Sequence, residues 1–523
     1  MIETRQDAGR ARAGVMTRRG LLKAMAAGAA TVVLPPPLRA DAERPPRPNI
    51  LFIMADDHAA NAISCFGSRL AKAAPTPNLD RLASEGARVE RMFCTNSICV
   101  PSRASILTGL YGHRSGVYRL SDKLDPKARN VAKLLRAGGY ETAVIGKWHL
   151  KAEPAGFDHW RVLEGQGRYR NPKLKGPEGK KVHEGYCTDV ITDLAIDWLK
   201  GRSSGRPFLL LCHYKAAHEP WHYAKRHASL YRDTVFPEPA SLFEDQSHRS
   251  AATRDKGYTM ETMAGRMVRP GHVPERFDAS GLDDRQRRRK AYQHFLRAYL
   301  RCIAGIDENV GRLMKTLKRQ GLADNTVVIY TSDQGYFLGE HNYIDKRWMF
   351  EESLQMATIV RYPKEIKGGT VNRDILINTD FAPLMLDFAG LSVPADMQGR
   401  SFRANLAGRT PAGWREAMYY HYWTHQQLRP AHYGIRTKRY KLMHFYGNAA
   451  EGGPDRDAWE LYDLEKDPRE VHNVYADPAY AETVKDLRKQ LDGLRREVGD
   501  TRAVRPGGAS KPRKATQKPR RQR

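Results

Sequence analysis

Cysteine is scarce in this chain: six in 523 residues, with no Cys-x-x-Cys pair among them. That excludes a scaffold built on disulfides and a zinc ribbon. No apolar run reaches the ~18 residues a membrane-spanning helix needs. No segment repeats itself, which sets aside solenoids and propellers. Acidic residues are the other shortage: aspartate and glutamate number 59 against 87 lysines and arginines, a formal net charge of +28. The excess favours an anionic partner and says nothing about fold. Hydrophobic residues make up 41% and aromatics 9%, enough for a large core, which rules out a wholly disordered or collagen-like chain. At about 150 residues per domain the length allows three or four domains, although large α/β enzymes often put more around one sheet.

The two ends read as separate from the fold. Arg18-Arg19, a short apolar stretch to Leu34, and Ala40-Asp41-Ala42 form an export-signal pattern with a small-residue cleavage site over residues 1–42. The paired arginines resemble a twin-arginine signal, which is read by a receptor and is not an anchor, so the mature protein is expected in the periplasm or outside the cell. Residues 43–48 are a proline-broken linker. Residues 501–523 carry nine basic residues, no acid and three prolines, the composition of a disordered tail. The run Arg285–Lys290 reads as the exposed start of a helix, not as a binding patch.

Between the ends, four apolar runs stop at polar residues: Asn49–Met54 before Ala55-Asp56-Asp57, Thr142–Ile145 before Gly146, Phe208–Cys212 before His213, and Thr326–Tyr330 before Thr331-Ser332-Asp333. Runs apolar on both faces read as buried parallel strands. Leu300, Ile303, Ile306, Val310, Leu313 and Leu317 recur at a helical period. The expected fold is α/β: a large, mainly parallel sheet flanked by helices over residues 49–370, with residues 225–283 as an insertion. A site is then expected beyond the carboxyl ends of the strands. From residue 371 to 500 the short segments Tyr433–Thr437, Tyr440–Tyr446 and Trp459–Leu464 predict a small antiparallel α+β subdomain.

The segment with the most chemistry is Cys99-Val100-Pro101-Ser102-Arg103. Proline suits the first helical turn, so Cys99 is expected near a helix N-terminus, where oriented N–H groups favour an anion. Arg103, four residues on, lies on the same face and offers a planar fork to an oxyanion. A buried structural cysteine is the plainer alternative.

Cys99-x-Pro101-Ser102-Arg103, followed by Leu107-Thr108-Gly109, resembles the signature of type I sulfatases, of the alkaline-phosphatase-like superfamily. The second sulfatase signature follows as Gly139-Tyr140-Glu141-Thr142-Ala143-Val144-Ile145-Gly146-Lys147-Trp148-His149. The resemblance runs from about Asn49 to Asp477. It implies that Cys99 is converted by a formylglycine-generating maturation enzyme to Cα-formylglycine, whose hydrated aldehyde is the nucleophile. It also implies one Ca²⁺. Asp56, Asp57, Asp333 and Gln334 close two strands and form a hard oxygen set, with the Cys99-derived oxygen completing it; taken singly, a strand-end aspartate is a turn or helix cap. The family more often has asparagine or histidine at Gln334. Lys147, His149, His218 and Lys346 complete the catalytic set with Cys99 and Arg103. His218 is the choice for the acid facing the leaving oxygen, His149 for the base that frees the sulfate. His113 and Lys215 are not assigned to the catalytic set.

The implied reaction is hydrolysis of a sulfate ester on a small molecule or glycan, with no specific nucleic acid and no transmembrane anchor. Phosphonate monoester and phosphodiester hydrolases resemble sulfatases and share the Cys-x-Pro-Ser-Arg pattern, so they are the alternative within the fold. A polyanion-binding protein on a degenerate scaffold is the alternative outside it. The stretches Ser332–His341 and Lys346–Ser353 resemble the branch with N-acetylglucosamine-6-sulfatases and other glycan sulfatases, with Trp423, His425 and His432 placed at the sugar.

Overall fold

The computed structural model describes residues 47–203, 205–426, 428–446 and 457–501. The export-signal segment, residues 43–46 of the linker and the tail beyond Thr501 lie outside the described residues.

Each apolar run is a strand: β1 Asn49–Ala55, β2 Glu141–Gly146, β3 Phe208–His213 and β4 Thr326–Ser332. They form the parallel centre of a ten-stranded sheet in the order β4-β1-β3-β2. Ile50 lies opposite Leu209 on one side and Val327 on the other. Alternation explains why the runs are continuously apolar. Ile50, Phe52 and Met54 enter the core on one face of the sheet, Leu51 and Ile53 the core on the other. His159–Leu163 extends the parallel order beyond β2, and the hairpin Lys173–Gly176 with Gly179–Val182 closes that edge. At the opposite edge lie Thr358–Arg361, antiparallel to β4, then Ala87–Val89 and Thr370–Asn372.

Helices cover both faces. α1, Cys99–Thr108, is buried along its whole length and ends on Gly109, whose φ of 70° is left-handed. α2, Cys187–Gly201, and the long α3, Asp284–Arg319, cover the other face. Asp283 and Gln286 form a capping box at the start of α3, so the arginine-rich run after them is indeed the beginning of a helix. Residues 225–283 are mainly turns and short 3₁₀ segments, with one helix at Met260–Met267.

The second sheet has four antiparallel strands: Ala417–Tyr422, His432–Thr437, Tyr440–Phe445 and Ala458–Asp463. Nothing in the sequence of the first announces a strand, because Met418-Tyr-Tyr-His-Tyr422 lacks the polar alternation of an exposed one. α4, Ala481–Val498, packs on this sheet through Leu487 and Leu491. The small sheet shares its apolar core with one face of the large one. A buried charge network joins them: Lys441 Nζ lies 2.8 Å from Glu351 and 2.6 Å from Glu470, and Arg436 lies 2.9 Å from Glu351. Burial pushes Glu470 up to about 7, against the pull of Lys441. Lys441→Met leaves Glu470 buried without a cation and is expected to cost about 3–5 kcal/mol, read as a lower denaturant midpoint.

Candidate active site

The carboxyl ends of β1 and β4, adjacent in the sheet, deliver Asp56-Asp57 and Asp333 to one place. The three carboxylates offer oxygens within 4.8 Å of one another, all buried. Asp57 sits at a left-handed φ of 61°, a strain that persists where its surroundings over-determine it. Those surroundings are visible. The Asp57 N–H donates to Asp333 Oδ1 at 3.2 Å, and the Tyr299 hydroxyl of α3 donates to the Asp57 carbonyl at 2.7 Å.

Cys99 stands at the first turn of α1 with Sγ 3.4 Å from Asp56 Oδ1. Gln334 reaches in beside it: Nε2 is 2.5 Å from Asp57 Oδ1 and 3.9 Å from Cys99 Sγ, while Oε1 is enclosed without a partner. Turning that amide over points its oxygen at the carboxylates and the cysteine, the arrangement a cation at this point demands. Electrostatics give the same answer. Burial pushes Asp57 up to about 7, with Asp56 and Asp333 adding to it and Lys346 opposing. Burial likewise pushes Asp333 up to about 6, with Asp56 adding and Arg103 opposing. For Asp56 burial works against the charge, but Lys147, His218 and Arg103 outweigh it and hold the carboxyl well below the usual range. Two of three carboxylates resist ionisation here, a state a divalent cation among them reverses. The residues therefore fit a calcium ion. They do not fit a thiolate nucleophile, because burial and then Asp56 push the Cys99 thiol well above its ordinary value.

Three cations sit directly on these acids. Arg103 Nε is 2.9 Å from Asp333 Oδ2, and its Nη1 donates to the Lys147 carbonyl at 2.7 Å. Its Nη2 is buried without a hydrogen-bond partner, 3.7 Å from Asp56. Lys147 pairs with Asp56 and also reaches Gln166 Oε1. Gly146, at a φ of 108°, makes the turn that delivers Lys147, since a Cβ there would collide with the His213 carbonyl oxygen. Lys346 Nζ contacts both oxygens of Asp57 at 2.6 Å.

His218 Nε2 is 3.9 Å from Asp57 Oδ2, and Nδ1 contacts the Glu219 carbonyl at 2.6 Å. Nδ1 therefore carries a proton and Nε2 faces the cluster. Burial, then Lys147, holds His218 well below the ordinary histidine range. His149, at a φ of 58°, has Nδ1 enclosed without a partner, and burial with Lys147 and Arg103 pushes it down to about 3. Unpaired buried polar atoms are rare in folded proteins. Arg103, His149 and Gln334 each leave one such atom in this cluster, as do groups elsewhere in the molecule.

The residues placed at the sugar divide. Trp423 is half-buried against Tyr118, and half-buried His425 accepts from the Ala431 N–H. His432 is fully buried among Trp348, Tyr420 and Phe445, so it packs the small sheet and is corrected to a core residue. The same residue types suit a saccharide and an aromatic core, and the sequence does not tell them apart. His113 Nε2 contacts the Val498 carbonyl at the end of α4. Sequence reasoning missed Gln166, which touches Lys147, and Asn378, whose Nδ2 donates to the Ser102 hydroxyl at 2.9 Å. Neither belongs to a motif.

Comparison with known proteins bears directly on this cluster. The sulfatase family model matches residues 48–391, which hold every residue of the cluster. The chain belongs to the sulfatase family. A second model, N-sulphoglucosamine sulphohydrolase C-terminal, matches residues 339–497. This sulfatase is 40% identical over 502 residues to an N-acetylglucosamine-6-O-sulfatase of Bacteroides thetaiotaomicron, covering 88% of each chain. It is similar, at 39% identity and a TM-score of 0.82, to a solved structure in complex with its substrate D-glucosamine-2-N,6-O-disulfate, covering 87% of this sulfatase and 99% of that chain. A phosphonate monoester hydrolase of Agrobacterium radiobacter shares the fold at 24% identity and a TM-score of 0.69, over 86% of this sulfatase and 96% of that chain. Among the described residues of the sulfatase, no helix is long and apolar enough to cross a membrane.

Proposed function

We propose that this sulfatase removes the 6-O-sulfate of a glucosamine unit in a sulfated glycosaminoglycan or a fragment of one, using Cα-formylglycine at position 99 and one Ca²⁺. The observation that carries the reading is the cluster itself: Cys99 at a helix N-terminus against three buried carboxylates, ringed by Arg103, Lys147 and Lys346. The 40% identity to an N-acetylglucosamine-6-O-sulfatase supports the sugar.

Asp56, Asp57, Asp333 and the Gln334 amide oxygen would hold the ion, together with an oxygen at position 99. Bound there, the ion supplies positive charge beside the reacting sulfate, and the aldehyde made from Cys99 supplies a hydrated oxygen nucleophile. The chain's own cations then act on the ester. The unpaired Nη2 of Arg103 and the ammonium groups of Lys147 and Lys346 hold sulfate oxygens where negative charge builds up. His149 presents an unpaired Nδ1 for a proton released at position 99. His218 Nε2 gives the leaving sugar oxygen its proton, and the net change is ester plus water to alcohol plus sulfate. Because Nδ1 of His218 is already committed to the Glu219 carbonyl, the acid form is the imidazolium, which the incoming anionic sulfate favours.

A sugar alkoxide needs that proton and a nitrophenolate does not. His218→Ala is therefore expected to lose about 10²–10⁴-fold in kcat/KM on a 6-sulfated sugar, and far less on nitrophenyl sulfate. Equal losses on both would remove His218 from the acid role. Release of inorganic sulfate from N-acetylglucosamine 6-sulfate, set against hydrolysis of phenylphosphonate, tests the activity as a whole; faster phosphonate cleavage would overturn it. Arg18-Arg19 and Ala40-Asp41-Ala42 support export of the enzyme, and the Cys99 signature calls for a formylglycine-generating enzyme as partner.

A further inference from the structure

Lys215 is a buried cation next to this site without a carboxylate of its own. It is 2% exposed. Lys147, Lys346 and Arg103 each sit on an acid of the cluster. Lys215 has no acidic side chain at ion-pairing distance among the described residues, and its ammonium lies over the ring of Tyr169, 4.7 Å from the centroid. The segment that carries it is locked beside the reacting groups. Tyr214 N–H donates to the Met54 carbonyl, Asp56 N–H to the Ala216 carbonyl, and Ala217 N–H to the Asp56 carbonyl. His218 follows three residues later and donates its N–H to the Lys215 carbonyl. The Tyr169 hydroxyl donates to the His218 carbonyl at 2.7 Å. Lys215, Tyr169 and His218 are thus one unit on the flank of the site where Gln166 meets Lys147.

An ammonium taken out of water and left unpaired is costly, and such groups are otherwise paired or shifted to neutrality. Burial, then Lys147, pushes Lys215 down to about 8, which still leaves it charged at pH 7. A cation–π contact offsets part of the cost. An anion offsets more. The reacting sulfate is not the best candidate, because Arg103, Lys147 and Lys346 already sit on the cluster carboxylates, whereas Lys215 pairs with none of them.

We propose that Lys215 is a specificity-determining residue that holds a second anionic substituent, a sulfamate or a carboxylate, on the leaving-alcohol side of the substrate. The assignment rests on the sulfated amino-sugar reading above. Steady-state kinetics with three substrates test it: N-acetylglucosamine 6-sulfate, with one anion; glucosamine 2-N,6-O-disulfate, with a second on the same sugar; and N-acetylglucosamine 6-sulfate linked to a uronate, with a second on the neighbour. Lys215→Met is expected to lose about 10–100-fold more kcat/KM on one of the doubly anionic sugars than on the singly anionic one, the size of one charge-assisted contact. The affected sugar identifies the anion, and Lys215→Arg is expected to recover most of the preference. Equal losses on all three, or no loss on any, would overturn the proposal. Binding of the same sugars to Cys99→Ala protein by calorimetry reads the discrimination without turnover. A wild type that hydrolyses none of them would sink the activity reading, and the affinities would still decide this one.

Discussion

Cys99→Ala is expected to lower kcat for sulfate release by about 10⁵–10⁶-fold, the scale on which loss of a covalent nucleophile is measured, while the protein unfolds at nearly the same temperature. The side chain is enclosed at the start of α1, 3.4 Å from Asp56. Its removal leaves a small void and relieves a contact with an acid, so stability changes little. A thiol in this place is a poor nucleophile, since burial and Asp56 keep it protonated. The same fact predicts that wild-type protein made without a maturation enzyme is nearly as inactive as Cys99→Ala. A folded Cys99→Ala protein that retained more than a few per cent of wild-type kcat would remove Cys99 from the nucleophile role.

Asp57→Ala and Asp333→Ala are expected to cost about 10³-fold or more in kcat, several kcal/mol of charge stabilisation lost with the ion. The binding consequence can be read without any substrate. Burial and like-charge crowding push Asp57 up to about 7 and Asp333 up to about 6. A calcium ion held here would compete with protons, and its affinity is expected to rise as pH rises from about 5 to 8. Wild-type protein should gain about 2.7 kcal/mol of stability at a calcium concentration a hundredfold above Kd, and both variants should lose that gain. Calcium titrated into chelator-treated protein and followed by thermal unfolding checks it. An unfolding temperature indifferent to calcium in the wild type would contradict the oxygen cage.

Why some of this was readable in the sequence and some was not follows from the physics of each feature. β1 and β4 are legible because a strand buried on both faces must be apolar throughout, and the polar residues that stop each run mark its carboxyl end. The first turn of α1 is legible from Pro101 alone, since proline is tolerated there and almost nowhere later in a helix. That Asp57 and Asp333 meet is a matter of topology: they are 276 residues apart, and only the parallel pairing of β1 with β4 brings them together. The strand Ala417–Tyr422 carries no alternation to announce it, because one face meets the shared core and the other meets α4. His432 misleads for a related reason, as an imidazole stacked in a core has the same letter as one that holds a sugar. Gln166, Asn378 and the unpaired state of Lys215 have no local signature, since each depends on what a distant segment places beside it.

The mass of the peptide that contains Cys99, measured on the same sample as sulfate release from N-acetylglucosamine 6-sulfate, shows whether activity depends on the aldehyde at position 99. Preparations made with and without a formylglycine-generating enzyme will differ in the fraction converted. The expected result is that kcat per mole of protein rises in proportion to the aldehyde fraction and falls to nearly zero when only cysteine is present. Full activity in protein whose Cys99 is entirely unmodified would contradict it.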